Sequence, residues 1–152
     1  LAGLTSEATY LQTGFFFYSQ MTEAANRLVP DGGKVLLLFE ARAYYFEPAV
    51  IQDNLLTNWA LLAPYTQRHD DCLASSDISH VLVSDAAVRY YARRGMDPRL
   101  LRLEDLRSFA TRCLSVVHRG RGFTILTLNP SGPTAEAPIG GAPARLSDFA
   151  PN

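Results

Sequence analysis

The chain has 152 residues, 47% of them hydrophobic and 19% charged, and a formal net charge of -1. That length suits one domain around one continuous core, and the composition excludes a disordered polymer. The near-neutral balance gives no basis for a nucleic-acid partner, because the scattered arginines do not alternate with aromatic residues as a base-stacking groove requires.

The sequence begins at Leu1, which suggests a boundary inside a longer protein. It shows no basic leader followed by an apolar run and a cleavage site. No stretch approaches the roughly 20 apolar residues that span a bilayer, so any membrane segment is expected outside the sequence shown.

Residues 1–17 read as a lead-in, ending in the aromatic cluster Phe15-Phe16-Phe17-Tyr18 that plugs an apolar edge or meets a neighbouring surface. Tyr18, Met21, Thr22, Ala25 and Leu28 recur at helical spacing, which predicts a helix over 18–28. Pro30-Asp31-Gly32-Gly33 stops it. Lys34 to Phe39 is apolar without alternation, as in a central strand covered on both faces. A polar and aromatic stretch, Glu40 to Pro48, leads to a short strand at Ala49-Val50-Ile51. Gln52-Asp53-Asn54 is a turn and helix cap, followed by a helix from Leu55 to Ala63 that closes before Pro64. Asp70-Asp71 is placed to cap a further single turn through Ser75. Ile78 to Val83 is the second clear strand, and Ser84-Asp85 caps a helix that Gly95 ends. A longer apolar stripe predicts a helix over 103–114. Ser115–His118 and Phe123–Leu128 are strands joined by Arg119-Gly120-Arg121-Gly122, whose arginines decorate a hairpin tip.

The expected fold is therefore α/β: a three-layer sandwich with a mostly parallel, Rossmann-like sheet and a C-terminal antiparallel hairpin at its edge. The domain occupies 18–128. Residues 129–152, with Pro130, Pro133, Pro138, Pro143 and Pro151 among small residues, read as a Pro/Gly/Ala-rich flexible tail. Cys113 falls on the apolar stripe and reads as a buried free thiol, unless the fold brings it to about 5.5 Å, Cα to Cα, from Cys72.

In open α/β sheets the usual crevice lies beyond the carboxyl ends of the strands. Those ends present Glu40 and Arg42, then Asp53, then Ser84 and Asp85, with Tyr44 and Tyr45 on the same edge. These seven residues are the ligand-binding candidates. Each has a plainer reading: Glu40 with Arg42 as a structural ion pair, Asp53, Ser84 and Asp85 as helix caps, and the tyrosines split between core and rim. No catalytic residue is assigned. Gly32-Gly33 precedes a strand instead of following one, so it is no phosphate loop. A Gly-x-Ser-x-Gly elbow is absent, and His69, His80 and His118 lack metal-ligand spacing. Neither a metal nor a cofactor is expected.

Several strings resemble a larger pattern. They are Asn26-Arg27-Leu28-Val29-Pro30, Lys34 to Phe39 running into Glu40-Ala41-Arg42-Ala43-Tyr44-Tyr45, and Ser79-His80-Val81-Leu82-Val83-Ser84. Together with the lead-in Gly3 to Leu11, they resemble the C-terminal extracytoplasmic domain of bacterial multi-pass membrane glycosyltransferases. These are the proteins related to dolichyl-phosphate-mannose–protein mannosyltransferases and to lipid-A aminoarabinose transferases. The resemblance covers roughly residues 3–128. It departs from the pattern at Phe39, where a small residue or glycine is expected before the glutamate.

The resemblance implies a mannosyltransferase-like parent that uses a polyprenyl-phosphate sugar donor. Its catalytic acidic residues would sit in loops near N-terminal membrane helices, outside this chain. The fragment itself would be a non-catalytic domain at the periplasmic face of the bacterial inner membrane. Its partners would be the membrane-embedded portion of the same chain and a carbohydrate, lipid-linked sugar or protein acceptor. Two alternatives stand beside it: a modular sugar- or nucleotide-binding α/β domain, and a small independent hydrolase.

Overall fold

A computed structural model describes residues 16–53, 57–69, 72–96, 101–129 and 142–143, with the backbone alone at 16–17 and 142–143. The elements in chain order are α1 (Phe16–Leu28), β1 (Lys34–Leu38), β2 (Ala49–Ile51), α2 (Thr57–Arg68), β3 (His80–Val83), α3 (Asp85–Arg93), α4 (Leu103–Cys113), β4 (Leu114–Gly120), β5 (Phe123–Leu128) and β6 (Ala142–Pro143).

The strands form one sheet in the order β2-β1-β3-β5-β4-β6. Helices cover both faces. On one side Tyr18, Met21, Ala24 and Ala25 of α1 pack on Val35, Leu37, Leu82, Phe123 and Ile125. On the other, α2, α3 and α4 bring Trp59, Val88, Leu106 and Phe109 against Leu36, Leu38, Val81, Val83 and Leu126. Alternate residues of β1 and β3 thus enter different cores. This is why both strands lack a polar face in the sequence.

The α/β class holds, but the mostly parallel, Rossmann-like layout does not. β1 pairs in parallel with β2 and β3, whereas β3–β5, β4–β5 and β4–β6 are all antiparallel. The C-terminal hairpin β4–β5 does stand at one end of the sheet, antiparallel as expected, with β5 against β3 and only the two-residue β6 beyond β4. Residues Phe123 to Leu126 of β5 are all buried, so β5 is covered on both faces like a central strand. Helices α3 and α4 already bring β4 back parallel to β3, but β5 is inserted between the two. A tight return at Gly122 (φ +85°) reverses β4 into β5.

Three local differences have physical causes. Helix α2 continues through Pro64 to Arg68, because Ala63 and Thr66 remain on its buried stripe. That burial outweighs the one backbone donor lost at proline. Helix α1 begins at Phe16, two residues before the expected start. Ala142–Pro143, inside the expected tail, adds a two-residue strand to β4, an edge position that tolerates proline. The expected turn capped by Asp70-Asp71 begins outside the described residues, as does most of the lead-in.

Cys72 and Cys113 are joined by a disulfide with a Cα–Cα distance of 5.2 Å. The free-thiol reading is thereby corrected. The bond ties the segment after α2 to the last turn of α4, and both residues are buried in the core beneath these helices.

Candidate functional site

The carboxyl ends of β1 and β3 lie side by side, with Ser84 N–H donating to the Leu38 carbonyl at 3.0 Å. Beyond β1 the chain turns at Phe39, whose φ of +62° lies in the left-handed region that favours glycine. This is the position where the resemblance called for a small residue. Phe39 occupies it because its side chain is buried, 4% exposed, in the core on the α2 side.

Asp53 holds that turn in place. Its carboxylate accepts the Phe39 N–H at 2.6 Å and the Asn58 N–H, in the first turn of α2, at 2.9 Å. The Asp53 N–H in turn donates to the Glu40 carbonyl at 3.3 Å. Asp53 is 1% exposed, so both oxygens are committed to joining β1 to α2. Asn58 reinforces the join by donating through Nδ2 to the carbonyls of Leu37 and Gln52, at 3.2 and 3.0 Å.

Glu40 is also buried, and its partner is Arg42. Oε1 accepts the Arg42 backbone N–H at 2.9 Å and Nε at 2.8 Å, while Oε2 accepts Nη2 at 2.8 Å. This fork-to-fork pairing is the strong form of an arginine–carboxylate contact. It raises the Arg42 pKa above its ordinary value. The Arg42 guanidinium lies 4.6 Å from the centre of the Tyr18 ring, in reach of a cation–π attraction. Burial, and then the nearby Glu40 charge, push the Tyr18 hydroxyl up to about 12. Tyr18 therefore keeps its proton and donates it to the Tyr44 carbonyl.

The loop carrying Tyr44 and Tyr45 is pinned from α1. Asn26 Nδ2 donates to the Tyr45 carbonyl at 3.0 Å, and its Oδ1 accepts the Glu47 N–H at 3.0 Å. Tyr45 itself has φ +67°. The two rings remain open to solvent, Tyr44 at 74% and Tyr45 at 54%. The expected split between core and rim is thus not seen, and the buried ring of this cluster is Tyr18.

Ser84 caps α3 through an Ala87 N–H to Oγ contact at 3.4 Å. Asp85 accepts from Thr124 Oγ1 of β5 at 2.8 Å. All the strand-end candidates therefore share one edge of the sheet, but their side chains turn to separate partners: Glu40 to Arg42 near α1, Asp53 to α2, and Asp85 to β5. Sequence spacing did not reveal Asn26, Asn58 or Tyr18 as members of this region. Asn58 carried the nearest signal, as a polar residue at the start of an apolar helical stripe.

The Ser79 hydroxyl and His80 Nδ1 are 2.9 Å apart. Ser79 Oγ already accepts the Lys34 N–H at 3.1 Å and lies 3.2 Å from the Lys34 carbonyl, between β1 and β3, so this pair serves to join strands. Among the described residues no group of three histidine, cysteine or acidic side chains is placed to hold a metal ion, and no helix is long and apolar enough to cross a membrane.

Comparison of the chain with protein-family models, curated proteins and solved structures finds no match. The functional reading rests on the chain's own residues.

Proposed function

We propose that this chain is a non-catalytic extracytoplasmic domain of a multi-pass membrane glycosyltransferase, and that the loop after β1 faces the acceptor. One observation carries the reading. The string that bears the resemblance, Glu40 to Tyr45, spends its charges on internal pairing and projects two adjacent tyrosines into solvent. A loop of this kind presents flat aromatic surface on a fixed backbone, with the Glu40 carboxylate already taken up by Arg42. Such rings suit the apolar faces of a sugar or the side chains of a protein acceptor.

The Cys72–Cys113 bond supports a location outside the cytoplasm, since disulfides persist in oxidising compartments such as the periplasm. The alternative of a modular sugar- or nucleotide-binding domain would draw support from Glu40, Arg42, Asp53 and Asp85 converging on one cavity. Their hydrogen bonds lead to separate elements instead. A hydrolase needs a nucleophile beside a base, and Ser79 with His80 is committed to the strands.

The test is to isolate the full-length protein from membranes and measure sugar transfer from a polyprenyl-phosphate donor. Transfer is expected, and Tyr44→Ala with Tyr45→Ala should raise the acceptor KM several-fold while kcat holds. A full-length protein without apolar spans, or one with no transfer activity, would sink the proposal.

A further inference from the structure

A second region differs from the strand ends in holding a buried donor with no acceptor among the described residues. Between the end of α3 and the first half of α4 lies a cleft of about 690 Å3. Ala92, Met96, Leu101 and Leu103 give it apolar walls continuous with the core. Its volume is in the range of small-molecule sites, which are typically apolar with a few placed polar groups.

Two of the charged groups at its rim, Arg102 and Asp105, are paired. Arg102 donates through Nε to Asp105 at 2.6 Å and through Nη2 to Gln67 at 3.1 Å, and Gln67 donates to the other Asp105 oxygen at 2.6 Å. This triangle neutralises Arg102 and Asp105 together. Arg107, one helical turn on from Leu103, also lines the cleft. Its Nε is buried and has no hydrogen-bond acceptor among the described residues, while the residue as a whole is partly exposed at the cleft. Leaving a buried donor on a charged group unmet is costly. Glu104 adds one negative charge, but it is exposed to solvent.

We propose that this cleft binds a small amphiphile with a single acidic head. The head pairs with the Arg107 guanidinium, and the hydrocarbon part lies on Met96, Leu101 and Leu103. A carboxylate and a phosphate both match the planar fork of arginine, so the shared chemistry is an oxyanion on a short apolar tail. The inference does not depend on the transferase reading or on the tyrosine loop.

Titration calorimetry of the 152-residue chain with octanoate, octyl phosphate and octanol, each below its micelle-forming concentration, tests the idea. At least one acid should bind with one-to-one stoichiometry, and octanol should bind about tenfold more weakly or not at all. Binding of octanoate alone or of octyl phosphate alone supports the site and identifies its head group. Arg107→Met, checked for folding by circular dichroism, should lower acid affinity about tenfold, with Arg107→Lys in between. Equal binding of octanol and the acids, failure of both acids to bind, or undiminished binding by folded Arg107→Met overturns it. The comparison with octanol needs no variant and decides the matter if Arg107→Met does not fold.

Discussion

The strand-end edge and the α3–α4 cleft both hold charged groups beside the core, yet they are finished differently. At the strand ends, Asp53 and Glu40 are almost fully buried, and every contact described for them is met from within the chain. In the cleft, Arg107 keeps a buried donor that no described residue accepts. A buried charge is therefore a poor guide to function by itself. What separates a structural polar group from a receptive one is hydrogen-bonding capacity left over after the fold has taken its share.

That contrast can be broken by mutation. The largest effect is expected from the link that holds α4 in place. Replacing both cysteines by serine opens a connection with a sequence separation of 41 and should lower stability by about 4 kcal/mol on the loop-entropy estimate, read by urea denaturation. Asp53→Ala should cost about 3 kcal/mol, because it strands the Phe39 and Asn58 N–H groups in a buried site. A loss below about 1 kcal/mol would show that the strand-end network is not structural.

A pH series sharpens the comparison at the opposite end of the strands. Burial holds the His80 imidazole below its ordinary 6.5. Its native pKa is thus lower than its unfolded one, and the unfolded chain binds the extra proton first. Stability should fall as pH drops through about 6.5 towards the native value and then level off, and His80→Asn should flatten that slope in denaturant melts. The smallest change is expected from Arg107→Met, which should alter stability by less than about 0.5 kcal/mol or raise it slightly. A loss above about 1 kcal/mol would make Arg107 a structural residue and erase the distinction between the two regions.

Much of the architecture could be read in advance where one face or one cap decided it. The unbroken apolar runs of β1 and β3, the Ser84 cap and the turn at Gly95 each report a local requirement. Strand direction was not readable that way. The run Phe123 to Leu128 looks alike whether its neighbour is parallel or antiparallel, and its place beside β3 is settled by which edge remains open after α4. Pro64 misled for a related reason, since the stripe that carries α2 past it is rewarded by packing and not by local propensity.

The candidate residues were legible as polar groups at strand ends, but their roles were not. Whether Glu40 meets Arg42 or a ligand depends on the bend at Phe39, and a phenylalanine gives no warning of left-handed backbone. Arg107 was invisible because an arginine flanking a helical stripe is ordinarily solvated.

The position of β5 also matters for a chain emerging from the ribosome. β3, four residues all buried in the finished sheet, is an open edge until Phe123 to Leu128 arrive. Newly made polypeptide therefore carries an unpaired apolar strand through the synthesis of α3, α4 and β4. Exposed edges of this kind template wrong pairing between molecules. Products truncated before Phe123 should be sticky and short-lived, and quality control during synthesis would bear most heavily on the interval between these two strands.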